Sequence, residues 1–357
     1  MRNIKTKTVS FEYGSDSPGI VRKRRFIVLL IFLLVIMAVL FFTSFLVGTY
    51  PVSARTVWDV LRSRFMYVNE YWEIAVEKVI FQVRIPRIIL GILVGGGLAV
   101  SGASYQTLFE NPMVSPDILG VSAGAGFGAA LAMLHDGVWS EIQFSALLFG
   151  LLAVGLAYLI SSVYGKAEIT TLVLAGVIVS SLFQALLSVI KTYADRDSQL
   201  PSITFWLMGS LGKGDMADVK VLLPITLGCL IVLFLFRNQI DVLSAGEAEA
   251  TALGVNVTLV RVIVIVASTL MTVVSVSICG MIGWVGLVVP HIARIFTGAS
   301  YSRLLAVSFL IGGSFLLLMD NIIRGISSVE LPLGVLTALV GTPVFAFLLI
   351  RSRKGAY

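Results

Sequence analysis

The sequence predicts an all-α, polytopic membrane protein, a single bundle of about ten transmembrane helices. Three observations carry that prediction. Of 357 residues, 57% are hydrophobic and 13% charged, where a soluble domain carries about 25% charged residues. The apolar excess runs over nearly the whole length and leaves no room for a large soluble domain. Basic clusters flank it: Arg2, Lys5, Lys7, Arg22, Lys23, Arg24 and Arg25 before the first apolar run, Arg351, Arg353 and Lys354 after the last. Basic residues abutting apolar spans are topology signals, so the net charge of +6 is read as membrane orientation and not as nucleic-acid binding.

A span needs about 20 apolar residues to cross about 30 Å of hydrocarbon. Ten candidates meet or approach that length: 26–47, 87–108, 117–134, 142–163, 169–190, 219–236, 261–280, 282–297, 304–323 and 331–350. The first is 22 residues long, longer than the roughly 7–15 of a signal-peptide core, so it reads as a retained span. Residues 262–292 contain no Asp, Glu, Lys or Arg. As one helix they would extend about 46 Å, too long for the bilayer. Gly280, Gly283 and Gly286 offer a turn, which splits the run into a full span and a short one. The stretch 200–211, LPSITFWLMGSL, is apolar but only 12 residues long, a length that suits a re-entrant or interfacial helix. The organisation expected is a basic tail over 1–25, one ten-helix domain over 26–350 and a second tail over 351–357.

With Arg22–Arg25 in the cytoplasm, an even number of spans returns Arg351–Lys354 to the same side. The 238–260 connection then lies inside, and the 48–86 loop lies outside. RIPRIILG, Arg84 to Gly91, places two arginines at the outer mouth of the second span. Such residues anchor helices at the headgroup level or receive an acidic partner, and the anchor is the plainer reading. In the outer loop, helix-like apolar spacing predicts a short surface helix within 48–83.

Several chemistries are absent. GSLGKGD at 209–215 lacks the Ser/Thr of a phosphate-binding loop, and no convincing helix is expected after it. GAGFG at 124–128 lies inside a span, where no dinucleotide fold forms. No acid stands at the centre of a confident span, as an ion relay would require; Asp320, with Asn321 and Arg324, lies near the end of the ninth. His135 and His291 are too far apart for a metal site, and His291 reads as a packing residue. Cys229 and Cys279 sit in apolar runs and read as small buried hydrophobes. Glycines recur four apart, Gly91/Gly95, Gly120/Gly124 and Gly124/Gly128, the spacing of close helix packing.

One inside segment stands out, LSAGEAEATALGV at 243–255. It reads as a short glycine-ended helix with Ala248, Ala250 and Ala252 on a compact surface. Such a helix fits a groove on a partner, or it is an ordinary loop helix.

Together these stretches resemble the FecCD-type permeases, the membrane subunits of ABC importers for iron-siderophores, haem and cobalamin. The resemblance covers about residues 26–350. It rests on residues 84–126, on LAGVIVSS (174–181), FWLMGSL (205–211) and LSAGEAEATALGV (243–255), on GLVVPHIARI (286–295), and on ELPLGVLTALVGTPVFAFLL (330–349). It implies ten spans with both ends cytoplasmic, spans 2–5 and 7–10 being related halves of opposite orientation. It also implies partners: a second permease subunit, two ATPases that carry ATP-Mg, and an extracytoplasmic solute-binding protein. This chain itself would hold no cofactor, no metal and no catalytic residue.

The resemblance assigns roles as well. Arg84, Arg87 and Arg324 become a landing site for the binding protein. Gly246, Glu247, Ala250, Leu253 and Gly254 match the coupling helix that meets the ATPase. Ile169, Thr170 and Thr171, read as a loop before LAGV, match the inner gate. The implied cargo is a metal chelate; a molybdate-like oxyanion is the alternative, and an ion-coupled secondary transporter is a more remote one. The sequence departs from the pattern in its longer basic tail and its long 48–83 loop.

Overall fold

The computed structural model describes residues 18–163, 169–298, 300–326 and 331–354. Among them the structure is helical, with no strand. In chain order the helices are α1 (Pro18–Ser44), α2 (Ala54–Ser63), α3 (Ile74–Lys78), α4 (Ile85–Leu108), α5 (Val121–Leu134), α6 (Trp139–Val163), α7 (Ile169–Tyr193), α8 (Gln199–Leu207), α9 (Met216–Leu235), α10 (Arg237–Leu243), α11 (Glu247–Ala252), α12 (Val257–Cys279), α13 (Val285–Thr297), α14 (Tyr301–Ile326) and α15 (Leu333–Lys354). Among the described residues, seven helices are long and apolar enough to cross a membrane, and three shorter apolar helices accompany them. These ten fall on the ten predicted spans. Most of the basic tail, residues 1–17, lies outside the described residues.

The second span begins earlier than predicted. A π-helical stretch, Val79–Arg84, joins α3 to α4, so that Ile74–Leu108 is one 35-residue helix. The predicted span starts at residue 87, just after Pro86, a residue that removes a backbone N–H and crowds the preceding turn. The wider π turn just before it lets the helix run on. At about 1.5 Å per residue the helix spans about 52 Å, so its first turns extend past the hydrocarbon. The predicted surface helix is α2. Ser53 caps it, accepting from Thr56 N at 3.1 Å, and Val57 and Val60 pack into a cluster with Phe45 and Ile80.

The lengths of the helices repeat. The series α4 to α7 has 24, 14, 25 and 25 residues. The series α12 to α15 has 23, 13, 26 and 22. Packing repeats with them: α4 contacts α12, α13 and α14, while α12 contacts α4, α5 and α6. Exchanging the two series exchanges the two sets of neighbours. The centre of the bundle is therefore α4 against α12, and both are largely buried, whereas α1 is mostly exposed.

Small residues set the closest approaches. A Cβ added at Gly95 would lie 2.3 Å from Gly312 O, and one at Gly312 would lie 2.3 Å from Gly95 O. Only glycine on both sides lets α4 and α14 meet backbone to backbone. Gly124 and Gly128 do the same for α5 on α6. Gly120 departs from the predicted helical ladder: it lies ahead of α5 at φ +86°, after a 3-10 turn at Pro116–Leu119.

The split of residues 262–292 is present. α12 ends at Cys279, Gly280 takes φ 69°, and α13 starts after Trp284, itself at φ 69°. The predicted 12-residue helix is shorter, because α8 stops at Leu207. The irregular backbone beyond it is satisfied by its neighbours. Ser210 N donates to Cys279 O at 2.8 Å, Gly209 O accepts from Leu333 N at 2.8 Å, and Met208 O accepts from Gly334 N at 3.0 Å. Buried peptide groups need such partners inside a membrane protein.

Candidate docking and coupling sites

Two ends of the bundle carry the predicted site residues, and α14 connects them. Its 26 residues span about 39 Å.

At its C-terminal end three arginines from distant stretches meet. Arg84 and Arg87 come from the junction of the π stretch and α4, and Arg324 comes from the last turn of α14. They line one pocket of about 190 Å³ together with Gly48, Thr49, Tyr50 and Ile323. Arg87 Nε donates to Asp320 Oδ1 at 2.9 Å, and Arg324 Nε lies 2.8 Å from Asp320 Oδ2. Asp320 is 1% exposed. Arg84 donates to the carbonyls of Phe45 and Tyr50, and Arg324 to those of Ser44 and Val47 at 3.0 and 2.8 Å.

The guanidinium groups thus close the C-terminal end of α1, where carbonyls lack helical partners and the helix dipole favours cations. The sequence reading put Arg84 and Arg87 facing outward. In the fold they are 3% and 9% exposed, with their charge turned to Asp320, to backbone carbonyls and to the pocket. The reason is the continuous helix: Arg84 lies inside it, beside the end of α1, and not on a free loop. Asp320 is the member of the site that sequence reasoning left without a role. Its spacing to Arg324, four residues on one helix face, was the available signal.

At the other end α10 and α11 form the connection between α9 and α12. α11 matches the predicted short helix but holds six residues. Gly246 enters it at φ 128°, and Gly254 leaves it at φ 79°. There Gly254 N donates to Thr251 O and Val255 N to Ala250 O, each at 3.0 Å. This left-handed stop is the usual work of glycine after a helix. Ala248 and Ala252 are exposed as expected. Ala250 is not: it is fully buried against the body of the protein. Side chains two apart lie on different sides of a helix, so three alternate alanines cannot share one surface. Glu247 pairs with Arg261 of α12, which fixes α11 to the next span. Leu253 is 72% exposed, an apolar knob beside a surface of small residues.

Ile169, Thr170 and Thr171 lie in the first turn of α7 and not in a loop. Thr170 is exposed and Thr171 half-buried. The residues just before them, 164–168, lie outside the described residues.

A helix does follow GSLGKGD, against expectation, since α9 starts at Met216. Its N-terminus is occupied, however. Asp215 Oδ1 accepts from Ala217 N at 2.7 Å and from Asp218 N at 3.0 Å, so an acid sits where a phosphate would bind. Lys213 lies over the Trp139 ring at 5.0 Å. His291 stands beside Phe345, ring centres 5.9 Å apart. Among the described residues no cluster of three or more His, Cys, Asp or Glu is placed to hold a metal.

Comparison with known proteins agrees with this layout. The model of the FecCD transport family matches residues 34–351. The molybdate import system permease of Haemophilus influenzae is 37% identical over 323 residues, covering 90% of this chain and 94% of that one. A permease described as part of an iron chelatin transport system in Helicobacter pylori is 37% identical over 294 residues, covering 82% and 88%. Among solved structures, an inward-facing ABC transporter described as of metal-chelate type superposes with a TM-score of 0.81 at 35% identity, covering 90% of this chain and 99% of that one. The pattern of ten apolar helices, the repeated helix lengths and the family match over residues 34–351 lead to one assignment: the chain belongs to the FecCD transport family, the membrane-spanning permeases of ABC importers.

Proposed function

We propose that this chain is the permease subunit of a binding-protein-dependent importer that moves a metal chelate into the cytoplasm by alternating access. Both termini face the cytoplasm, and the arginine end faces out. An external solute-binding protein presents acidic side chains to Arg84, Arg87 and Arg324. A second copy of the chain completes the pathway. Two ATPase subunits, which hold the ATP and magnesium, dock below on the coupling helix, where Gly246, Glu247, Leu253 and Gly254 form the contact and the buried Ala250 seats α11 on the body of the protein. Ile169, Thr170 and Thr171 close the inner side. The chain itself hydrolyses no nucleotide.

The observation that carries the reading is the convergence of three arginines on one pocket, at the end of α14 away from α11. Asp320 meets Arg87 and Arg324, and Arg84 donates to backbone carbonyls. Guanidinium groups gathered on one pocket recognise carboxylates, and charge-assisted Arg pairs orient two surfaces as well as hold them. The iron chelatin relative supports a chelate as cargo. A second reading, an oxyanion such as molybdate, is favoured by the Haemophilus relative that spans most of both chains.

The test is binding-protein docking to the permease–ATPase complex in nanodiscs. Arg84→Gln with Arg324→Gln is expected to weaken docking about tenfold or more while the ATPase stays bound. Undiminished docking refutes the landing site. Neutral glutamine is the right probe, because a glutamate would add repulsion against Asp320.

A further inference from the structure

We infer that Asp241 is a positioning residue that fastens the cytoplasmic connection to α14, making α4 and α14 one rigid rod between the coupling end and the arginine end. This rests on the proposed function and adds the route by which the two ends communicate.

Four contacts define the rod. At its base, the first amide of α14, Tyr301 N, donates to Asp241 Oδ1 of α10 at 2.6 Å. A helix begins with unpaired N–H groups at the positive end of its dipole, and a carboxylate answers both. This one arrives from 60 residues upstream, on the element that leads directly into α11. One turn of chain later, Ser244 N donates to Ile240 O at 3.0 Å and Ser244 Oγ to Asp241 O at 2.7 Å, so α10 is closed just before Gly246. Beside the base, the fully buried Tyr301 hydroxyl is 2.7 Å from Ser104 Oγ of α4. At mid-height Gly95 and Gly312 put the two backbones in contact. At the top Arg87 of α4 meets Asp320 of α14 at 2.8 Å.

Two helices pinned at both ends, with their backbones in contact at the middle and the Phe309 ring of α14 seated on Gly96 of α4, cannot slide or splay independently. A shift of α10 and α11 must therefore move the base of α14, and with it the arginine pocket. By thermodynamic reciprocity, docking at the pocket biases the coupling end by the same amount.

The experiment measures ATP hydrolysis by the complete transporter in nanodiscs, with and without its binding protein. Asp241→Ala is expected to lower the binding-protein stimulation of hydrolysis about fivefold or more. The ATPase still co-purifies and basal hydrolysis persists. Asp241→Asn, which keeps an acceptor oxygen for Tyr301 N, restores most of the stimulation. A merely structural role would lower assembly and basal hydrolysis together. Full stimulation in Asp241→Ala overturns the inference.

If Asp241→Ala fails to assemble, spin labels decide on the otherwise native transporter, one pair at Asn238 of α10 in both permease copies and one at Ile326. Both sites are exposed. Both distance distributions are expected to change in the same nucleotide step; movement at Asn238 with none at Ile326 overturns the rod. An ATPase that never binds the chain would instead refute the proposed function itself.

Discussion

At the scale of single residues, Asp320 organises the arginine end. It is buried and lies between Arg87 and Arg324. Removing one partner of a buried ion pair leaves uncompensated charge and costs about 3–5 kcal/mol. Asp320→Ala is therefore expected to lower unfolding stability in detergent by about that much, with Arg324→Gln milder because Asp320 keeps Arg87. A loss below about 1 kcal/mol, the level of exposed pairs, would mean that solvent reaches the cluster. The sequence exposed these residues but not their pairing. Arg87 and Asp320 are 233 positions apart, and a partner at that distance is created by helix packing alone. The carbonyls of Ser44, Phe45, Val47 and Tyr50 were equally hidden, because every residue carries one. Ala250 shows the same limit: a small residue reads alike on a docking surface and under it.

At the scale of elements, glycine spacing was legible and its meaning depends on the neighbour. A Cβ at Gly124 would meet Phe149 O at 2.4 Å, whereas one at Gly155 meets nothing within 4 Å. Gly124→Ala should then push α5 off α6 and lower stability by about 1–3 kcal/mol, as overpacking does. Gly155→Ala should raise it by about 0.5–1 kcal/mol through helix propensity. Paired thermal unfolding of the two variants checks both signs, and equal effects would contradict the assigned helix contact. Gly254 is a different case, since its φ of 79° is costly for any side chain. Gly254→Ala should destabilise the α11 stop by about 1–2 kcal/mol, seen as faster hydrogen exchange at Thr251–Val255. The helix ends were less legible. The predicted start at residue 87 is overrun by the π stretch, and the end of α8 is set by hydrogen bonds with α12 and α15 rather than by its own residues.

At the scale of the molecule, hydropathy alone gave the ten apolar segments, because a chain in lipid must bury its peptide groups in helices. The repeat of long, short, long and long helices was not visible in the residues. It lies in lengths and contacts, which many apolar sequences satisfy equally. The proposed topology of ten crossings puts the α2 loop and α11 on opposite faces. Tyr67→Cys and Leu253→Cys, both highly exposed positions, should label from opposite sides of sealed vesicles; the native Cys229 and Cys279 are buried and stay silent. Labelling of both from one side would break the orientation.

The central claim is that this chain is a passage whose energy comes from elsewhere. Its most direct test is reconstitution of the purified chain alone in liposomes, followed by addition of the ATPase and the binding protein. Alone, it should neither hydrolyse ATP nor concentrate cargo, and both activities should appear with the partners. Concentrative uptake by the chain alone would contradict the account.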